Sequence, residues 1–120
     1  MIKDIENAHF ICGKAEEKLE QVLMDPEISK GVIAIVDPPR GGLHPKVLKA
    51  IMKCTAIQRL VYVSCNPNTM AENAVLICGP PSKKTGFSKP VFKPIQAIAV
   101  HLFPHTEHCE MIVLFERLTE

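Results

Sequence analysis

Apolar residues are arranged along the chain in two patterns, short continuous runs and repeats at helical spacing. Continuous runs suit buried strands, whereas apolar residues three or four positions apart form one face of a helix. The runs predict strands at 9–12, 31–36, 59–63, 95–103 and 109–115. The repeats predict helices at 15–24, 45–54 and 67–78. We expect the β-branched run at 31–36 to be covered on both faces.

The second and third predicted helices have recognisable ends and faces. Pro45 can begin the second helix, whose apolar face would carry Val47, Leu48 and Ile51. Gly79 is placed to cap the C-terminus of the third helix. The inward-facing residues of the third helix are expected to be Ala71, Ala74, Val75 and Cys78.

Strands and helices alternate in the predicted order βαβαβαββ. Only residues 104–108 separate the last two strands, which leaves no room for a crossover helix, so these two strands should be antiparallel. The order predicts an α/β fold with a doubly wound sheet that is parallel until the final hairpin.

The composition is that of an ordinary globular protein. The 120 residues suffice for one domain, and 47% hydrophobic with 22% charged residues excludes a disordered tail. No apolar run approaches the roughly 20 residues that span a bilayer. The acidic residues within 1–6 predict neither a secretory signal nor a transit peptide. The net charge of +1 is too small for nucleic-acid binding by bulk electrostatics, so any RNA contact must be local or made by other parts of a larger protein.

Residues 80–94 differ from the rest because four prolines and four lysines are concentrated there. Helix and strand are both disfavoured, so we expect an exposed basic loop, either a solvated connector or an RNA-contacting segment.

The five cysteines are odd in number and form no C-x-x-C pair, which predicts free, mostly buried thiols in a reducing compartment. We therefore expect an intracellular protein, in the cytoplasm, the nucleus or both.

Several side chains that could take part in a reaction are predicted to meet at one edge of the sheet. Asp37 and Cys65 directly follow successive parallel strands, whose C-terminal ends bind ligands in open α/β sheets. An antiparallel last strand begins at that same edge, which adds Cys109 and Glu110. The strand order alone thus places two carboxylates and the Cys65 thiol around one crevice, with Cys109 beside them.

Each of these residues has a functional and a structural interpretation. Cys65 precedes a helix capped by Asn66 and begun by Pro67, a position that favours a thiolate nucleophile, although it could equally be a small buried residue. Asp37 is held on a stiff proline turn or is an ordinary turn residue. Glu110 interrupts an apolar strand face, which suits a half-buried general base, or it faces solvent at a strand end.

The histidines support two weaker interpretations. His105, His108 and Cys109 lie close together around Glu107, but a zinc site needs a second compact pair, which the sequence lacks, so we predict no metal. A Cys–His hydrolase would pair Cys65 with His101 or with His105. No oxyanion-hole sequence accompanies that pairing.

Three motifs resemble the RNA (uracil-5-)-methyltransferases, and most of all their eukaryotic tRNA branch. The motifs are Asp37-Pro-Pro-Arg-Gly-Gly-Leu43, Tyr62-Val-Ser-Cys-Asn-Pro67 and His108-Cys-Glu-Met-Ile-Val-Leu-Phe-Glu-Arg117. The resemblance covers nearly the whole chain. An amino-methylating Asp-Pro-Pro-aromatic enzyme fits less well, because Arg40 stands where the stacking aromatic would be.

The resemblance implies a mechanism on a Rossmann-like, S-adenosylmethionine-dependent methyltransferase sheet. Cys65 would add to C6 of a uracil in tRNA or another RNA, C5 would take the methyl group, and Glu110 would remove the C5 proton to leave 5-methyluridine. Asp37 would lie at the S-adenosylmethionine site, and Arg40 and Asn66 would shape the pocket. No metal is implied.

The resemblance also implies that part of the catalytic domain is missing. The family's glycine-rich cofactor loop, the acid that ends its second strand and its RNA-binding region have no counterpart here. We therefore expect the C-terminal portion of a catalytic domain, with the N-terminal part of the same protein needed for full cofactor and RNA binding. The alternative is a truncated, non-catalytic product that binds RNA or a protein partner at most.

Overall fold

The computed structural model describes residues 7–80, 83, 86–101 and 109–119. The helices are α1 (Ala15–Leu23), α2 (Pro45–Lys53) and α3 (Pro67–Cys78), and a short 3-10 helix (Pro26–Lys30) follows α1. The strands are β1 (Val32–Val36), β2 (Ile57–Ser64), β3 (Phe92–Val100) and β4 (Glu110–Arg117). All three predicted helices and four of the five predicted strands are confirmed. Within the described ranges, no helix is long and apolar enough to cross a membrane.

The four strands form one sheet in the order β1-β2-β4-β3. Strand β1 runs parallel to β2, whereas β4 is antiparallel to both of its neighbours, β2 and β3. The mixed α/β fold with a parallel start and an antiparallel end is therefore as predicted. Because β4 is antiparallel to β2, it begins at the edge where β2 ends, and Met111 of β4 pairs with Ser64, the last residue of β2.

The hydrophobic core lies on one face of the sheet. In β2 and β4 the register pairs Leu60 with Phe115 and Tyr62 with Val113, and all four residues are buried. Helices α2 and α3 pack on this face, which explains their apolar stripes. In α2, the predicted inward residues Val47, Leu48 and Ile51 are all buried, and Met52 is buried as well.

The opposite face of the sheet is open. Ile33 and Ile35 of β1 are 64% and 72% exposed, and Ile98 of β3 is 49% exposed. The expectation that β1 is covered on both faces is therefore wrong. The reason is that the three described helices all contribute to the core on the other face, so a run of β-branched residues here has a cover on one side only.

Helix α3 buries a face that matches the predicted one only in part, since Ala74 and Cys78 pack half-buried against the core, as predicted, whereas Ala71 is exposed. The buried residues are Met70, Asn73 and Ile77, whereas Val75 is 63% exposed. Both stripes have helical spacing, and the polar Asn73 made the stripe that is actually buried look less apolar. Gly79 does cap the helix, because its N–H donates to the Val75 carbonyl at 2.8 Å. Any Cβ on Gly79 would collide with that same carbonyl oxygen.

One predicted strand is absent, and the bounds of β2, β3 and β4 differ from the prediction by a few residues. Residues 9–12 form no strand and pair with none of the four described strands, so the Phe10 side chain is left 85% exposed. Strand β3 begins at Phe92 rather than at residue 95, which shortens the predicted basic loop. Pro94 is tolerated there because β3 lies at the sheet edge and its register shifts after Pro94. The predicted end of β3 at 102–103 lies outside the described residues.

Arg117, at the end of β4, links the sheet to the C-terminal end of α2. Its guanidinium group donates hydrogen bonds of 2.7–3.1 Å to four backbone carbonyls and lies 4.6 Å from the centre of the Phe92 ring. The four acceptors are the carbonyl oxygens of Ile51, Met52, Cys54 and Ile57. Burial lowers the pKa of Arg117. The group acts as a helix C-cap supplied from a distant strand.

Replacing Arg117 with Met should destabilise the fold by about 3 kcal/mol, because several carbonyls at the end of α2 would lose their donor. Urea unfolding of the chain measures this free energy. Arg59→Met is the matched control, since Arg59 is an exposed arginine on the neighbouring strand, and it should cost less than about 1 kcal/mol. Equal midpoints for the two variants would contradict the capping role.

Candidate active site

Cys65 lies in the turn between β2 and α3, and its side chain is exposed. Asn66 caps α3, with its side-chain oxygen accepting from the Asn68 N–H at 3.1 Å, and Pro67 is the first helical residue. Both features are as predicted. The alternative that Cys65 is a small buried residue is wrong, because its side chain is exposed to solvent at the rim of the sheet.

The conformation of this turn is fixed by Ser64, which was not among the predicted site residues. Ser64 is 3% exposed; its hydroxyl accepts from the Asn66 N–H at 3.0 Å and donates to the Asn66 carbonyl at 2.8 Å. The Thr69 hydroxyl donates to the same carbonyl at 3.2 Å. A serine that precedes an Asn-Pro helix start is a recognisable turn signal, and here it holds the backbone on both sides of Cys65.

Glu110 lies at the same edge of the sheet as Cys65. The β2–β4 register pairs Ser64 with Met111, so the next residue along each strand towards this edge is Cys65 on one side and Glu110 on the other. Glu110 is half-buried. The structure therefore brings the predicted nucleophile and the predicted base to one rim, as the strand order implied.

Asp37 and Arg40 lie in the loop that follows β1, and both are exposed. The loop turns back where the Gly42 N–H donates to the Pro39 carbonyl at 2.9 Å. The Asn66 side-chain amide donates to the Arg40 carbonyl at 3.1 Å. Asn66, which follows Cys65, thus ties the loop of Asp37 and Arg40 to the turn of Cys65. The predicted site residues therefore lie along one rim of the sheet.

The histidines fall into four places, of which the first is exposed His9, before α1. His44 caps α2, with Nδ1 accepting from the Lys46 N–H at 3.1 Å, a role that its position before Pro45 could have suggested. His101 is exposed just after β3. The cluster of residues 105–108 lies outside the described residues. Across the part of the chain that the structure describes, no three His, Cys, Asp or Glu side chains converge as metal ligands do.

The five cysteines are free thiols, as predicted, but they differ in exposure. Cys12 and Cys65 are exposed, which corrects the expectation of a buried Cys12, and the others are half-buried. Burial raises the pKa of Cys78 to about 11. Since the thiolate is the reactive form, Cys78 should be far less nucleophilic at neutral pH than an exposed cysteine.

Iodoacetamide at pH 7.5 should therefore alkylate Cys65 and Cys12 well before Cys78, and peptide mass spectrometry can measure each rate. Because the raised pKa of Cys78 lies near 11, its labelling should rise steeply only as the pH approaches that value. In urea all five cysteines should react at similar rates, which is the control. Labelling of Cys78 at the rate of Cys65 in the folded chain would contradict the described burial.

Comparison with known proteins identifies relatives along nearly the whole chain. The family model for tRNA (Uracil-5-)-methyltransferase matches residues 14–118. The tRNA (uracil-5-)-methyltransferase homolog A of Mus musculus is 44% identical over 120 residues, or 100% of this chain, and that of Homo sapiens is 46% identical over 115 residues, or 96%. The homolog B of Mus musculus is 40% identical over 114 residues, or 94% of the chain.

The matched regions are only a small part of these relatives. They amount to 19% and 18% of the two homolog A proteins and 23% of the homolog B protein, so the chain spans about a fifth of their length. Within that fifth, the three motifs that form the rim all lie inside the region that the family model matches. The chain therefore belongs to the tRNA (uracil-5-)-methyltransferase family.

Proposed function

We propose that this chain carries the catalytic residues for S-adenosylmethionine-dependent methylation of uracil C5 in RNA, with tRNA as the substrate. The observation that carries the proposal is the β2–β4 register, which sets the exposed Cys65 and the half-buried Glu110 at one edge of the sheet. A thiol that can add to a base and a carboxylate that can remove a proton are the two groups that this reaction needs.

In the proposed mechanism the Cys65 thiolate adds to C6 of the uracil, and the electron pair of the C5–C6 double bond moves to C5. S-adenosylmethionine, when bound, would supply the methyl group that C5 receives and would leave as S-adenosylhomocysteine. Glu110 then removes the proton from C5, the double bond re-forms, and the bond between C6 and sulfur breaks to regenerate the thiolate. The uracil must be flipped out of its RNA stack to reach Cys65.

The residues present account for only part of a cofactor site. Asp37 is exposed at the C-terminal end of β1 and can contact S-adenosylmethionine there, with Arg40 and Asn66 shaping the adjoining pocket. Gly41 and Gly42 belong to the loop of Asp37 itself, and the described residues contain no separate glycine-rich turn between a strand and the next helix that would cradle the rest of the cofactor. We propose that the part of the protein outside this chain completes the cofactor site and binds the RNA.

The open face of the sheet supports that need for further polypeptide. Exposed isoleucines at this face form an apolar surface of the kind that further elements cover in complete α/β sheets. The same observation favours the second candidate function, a truncated chain that binds RNA or a protein without turnover. The two functions differ in whether the rim becomes active once the remaining polypeptide is supplied.

The test is a chimera in which this chain replaces the matching segment of the Mus musculus homolog A. We expect the chimera to transfer labelled methyl groups from S-adenosylmethionine to tRNA, with the label recovered as 5-methyluridine. The isolated chain, assayed in parallel, should bind S-adenosylmethionine poorly and show little or no transfer. An inactive chimera that nevertheless folds, or label recovered in another nucleoside, would overturn the proposed function.

A further inference from the structure

Asn73 is a polar residue on the buried face of α3, with an exposed fraction of 9%. Its side-chain oxygen accepts two hydrogen bonds, one from the Tyr62 hydroxyl at 2.6 Å and one from the Leu43 backbone N–H at 2.9 Å. Breaking either bond would leave a polar group unpaired away from water. Asn73 therefore holds a strand and a loop in one arrangement relative to α3.

The Tyr62 donor is fixed from the side of the sheet. Tyr62 lies in β2 and is 1% exposed. Burial raises the pKa of Tyr62, and the Leu43 amide offsets this only in part. The hydroxyl therefore stays protonated throughout the neutral range and keeps donating to Asn73.

The loop approaches Asn73 closely at Gly42. Gly42 has a φ of +84°, and a Cβ at this position would lie 2.8 Å from the Asn73 side-chain oxygen. A side chain would therefore be strained by the backbone and would press on the accepting oxygen. Glycine allows the next residue, Leu43, to direct its N–H at Asn73.

A second bond ties the same loop to the turn that carries the nucleophile. The Asn66 side-chain amide donates to the Arg40 carbonyl at 3.1 Å, and Asn66 is the neighbour of Cys65. The segment from Asp37 to Leu43 is thus attached to α3 and its preceding turn at two points, Arg40 and Leu43. The Asn73 attachment is the more buried of the two.

We infer that Asn73, held by Tyr62, is a positioning residue that fixes the Asp37–Leu43 loop relative to Cys65. This role rests on the proposed function, in which the loop belongs to the cofactor side of the site and Cys65 to the uracil side. A fixed loop keeps the methyl donor at the distance that transfer requires from C5 of the uracil attached to Cys65. A misplacement of about 1 Å can reduce a rate on the order of a hundredfold.

The variants that test this role are made in the chimera. Asn73→Ala removes the acceptor, whereas Asn73→Asp keeps oxygens that can accept both bonds. Ile77→Val, which removes one buried methyl group from the next turn of α3, controls for a general loss of stability. The readouts are the single-turnover methylation rate, the KM for S-adenosylmethionine and the hydrogen exchange rate of the Leu43 amide.

We expect Asn73→Ala to slow methylation by about tenfold to a hundredfold, to raise the KM for S-adenosylmethionine and to speed exchange of the Leu43 amide. Asn73→Asp should restore most of each change, and Ile77→Val should produce none. If the parent chimera methylates tRNA and Asn73→Ala does so at the parental rate, the positioning role is wrong. If the parent chimera itself is inactive, the proposed function fails. Separately, an unchanged hydrogen exchange rate of the Leu43 amide in Asn73→Ala would show that Asn73 does not hold the loop.

Discussion

Replacing Cys65 with Ala should abolish tRNA methylation by the chimera, with a loss of at least about a thousandfold. The uracil C5 becomes nucleophilic only after a thiolate has added to C6, and alanine offers no group that can form that bond. The measurement is the initial rate of labelled methyl transfer to tRNA at saturating S-adenosylmethionine. Thermal unfolding of the variant should match the parent, because Cys65 is exposed and packs into no core.

Two other cysteines provide matched controls for this change. Cys12 is the other exposed thiol, and Cys109 is a half-buried thiol beside Glu110 at the same rim. Cys12→Ala and Cys109→Ala should each retain the parental rate within a few-fold. If Cys109→Ala is inactive while Cys65→Ala remains active, the nucleophile has been assigned to the wrong cysteine.

Replacing Glu110 with Gln should stop the reaction after methyl transfer rather than before it. Without the carboxylate, the C5 proton stays in place and the bond from C6 to sulfur cannot break by elimination. Turnover should fall by about a hundredfold to ten-thousandfold, which is the range for loss of a general base. A denaturing gel should show labelled methyl groups in tRNA that remains attached to the protein.

Glu116→Gln is the matched control because Glu116 is also half-buried and lies on the same face at the far end of β4, paired with Arg59. It should turn over like the parent and accumulate no attached tRNA. Normal turnover by Glu110→Gln would show that another group removes the proton. Loss of turnover without attached tRNA would place the role of Glu110 before methyl transfer.

Local sequence patterns predicted most of the fold, because helix starts and strand runs are specified by neighbouring residues. Pro45 and Pro67 both begin helices, and the runs around Val36 and Tyr62 both form strands. The patterns could not show which faces would be covered. Whether the face at Ile35 is covered depends on tertiary packing, and periodicity along one strand carries no information about that packing.

Two buried contacts of polar residues could not be predicted from the sequence, and for the same physical reason. Asn73 looks like a surface residue in a helical pattern, yet it is buried because Tyr62 and Leu43 satisfy its oxygen. Arg117 looks like a charge at a strand end, yet it caps a helix that ends more than sixty residues earlier in the chain. Such partners are distant in sequence, so only the tertiary structure reveals them.

The candidate site was more predictable than these buried contacts. Parallel strands end at one edge and an antiparallel neighbour begins there, so topology alone joined Asp37, Cys65 and Glu110. The sequence did not reveal that Asn66 would tie the Asp37 loop to the Cys65 turn, nor that Ser64 would fix that turn from beneath. The reactive side chains of the rim could thus be predicted from the sequence, whereas the hydrogen bonds that hold them in place could not.

The most direct test of the account is to trap the covalent intermediate and locate it. The chimera is incubated with S-adenosylmethionine and tRNA containing 5-fluorouridine, in which fluorine replaces the C5 proton that Glu110 would remove. The complex is digested and its peptides are analysed by mass spectrometry. We predict a methylated fluorouridine nucleotide attached to the peptide that contains Cys65, and to no other cysteine. Attachment at a different residue, or methylation of ordinary tRNA with no trapped adduct from the fluorinated substrate, would contradict the account.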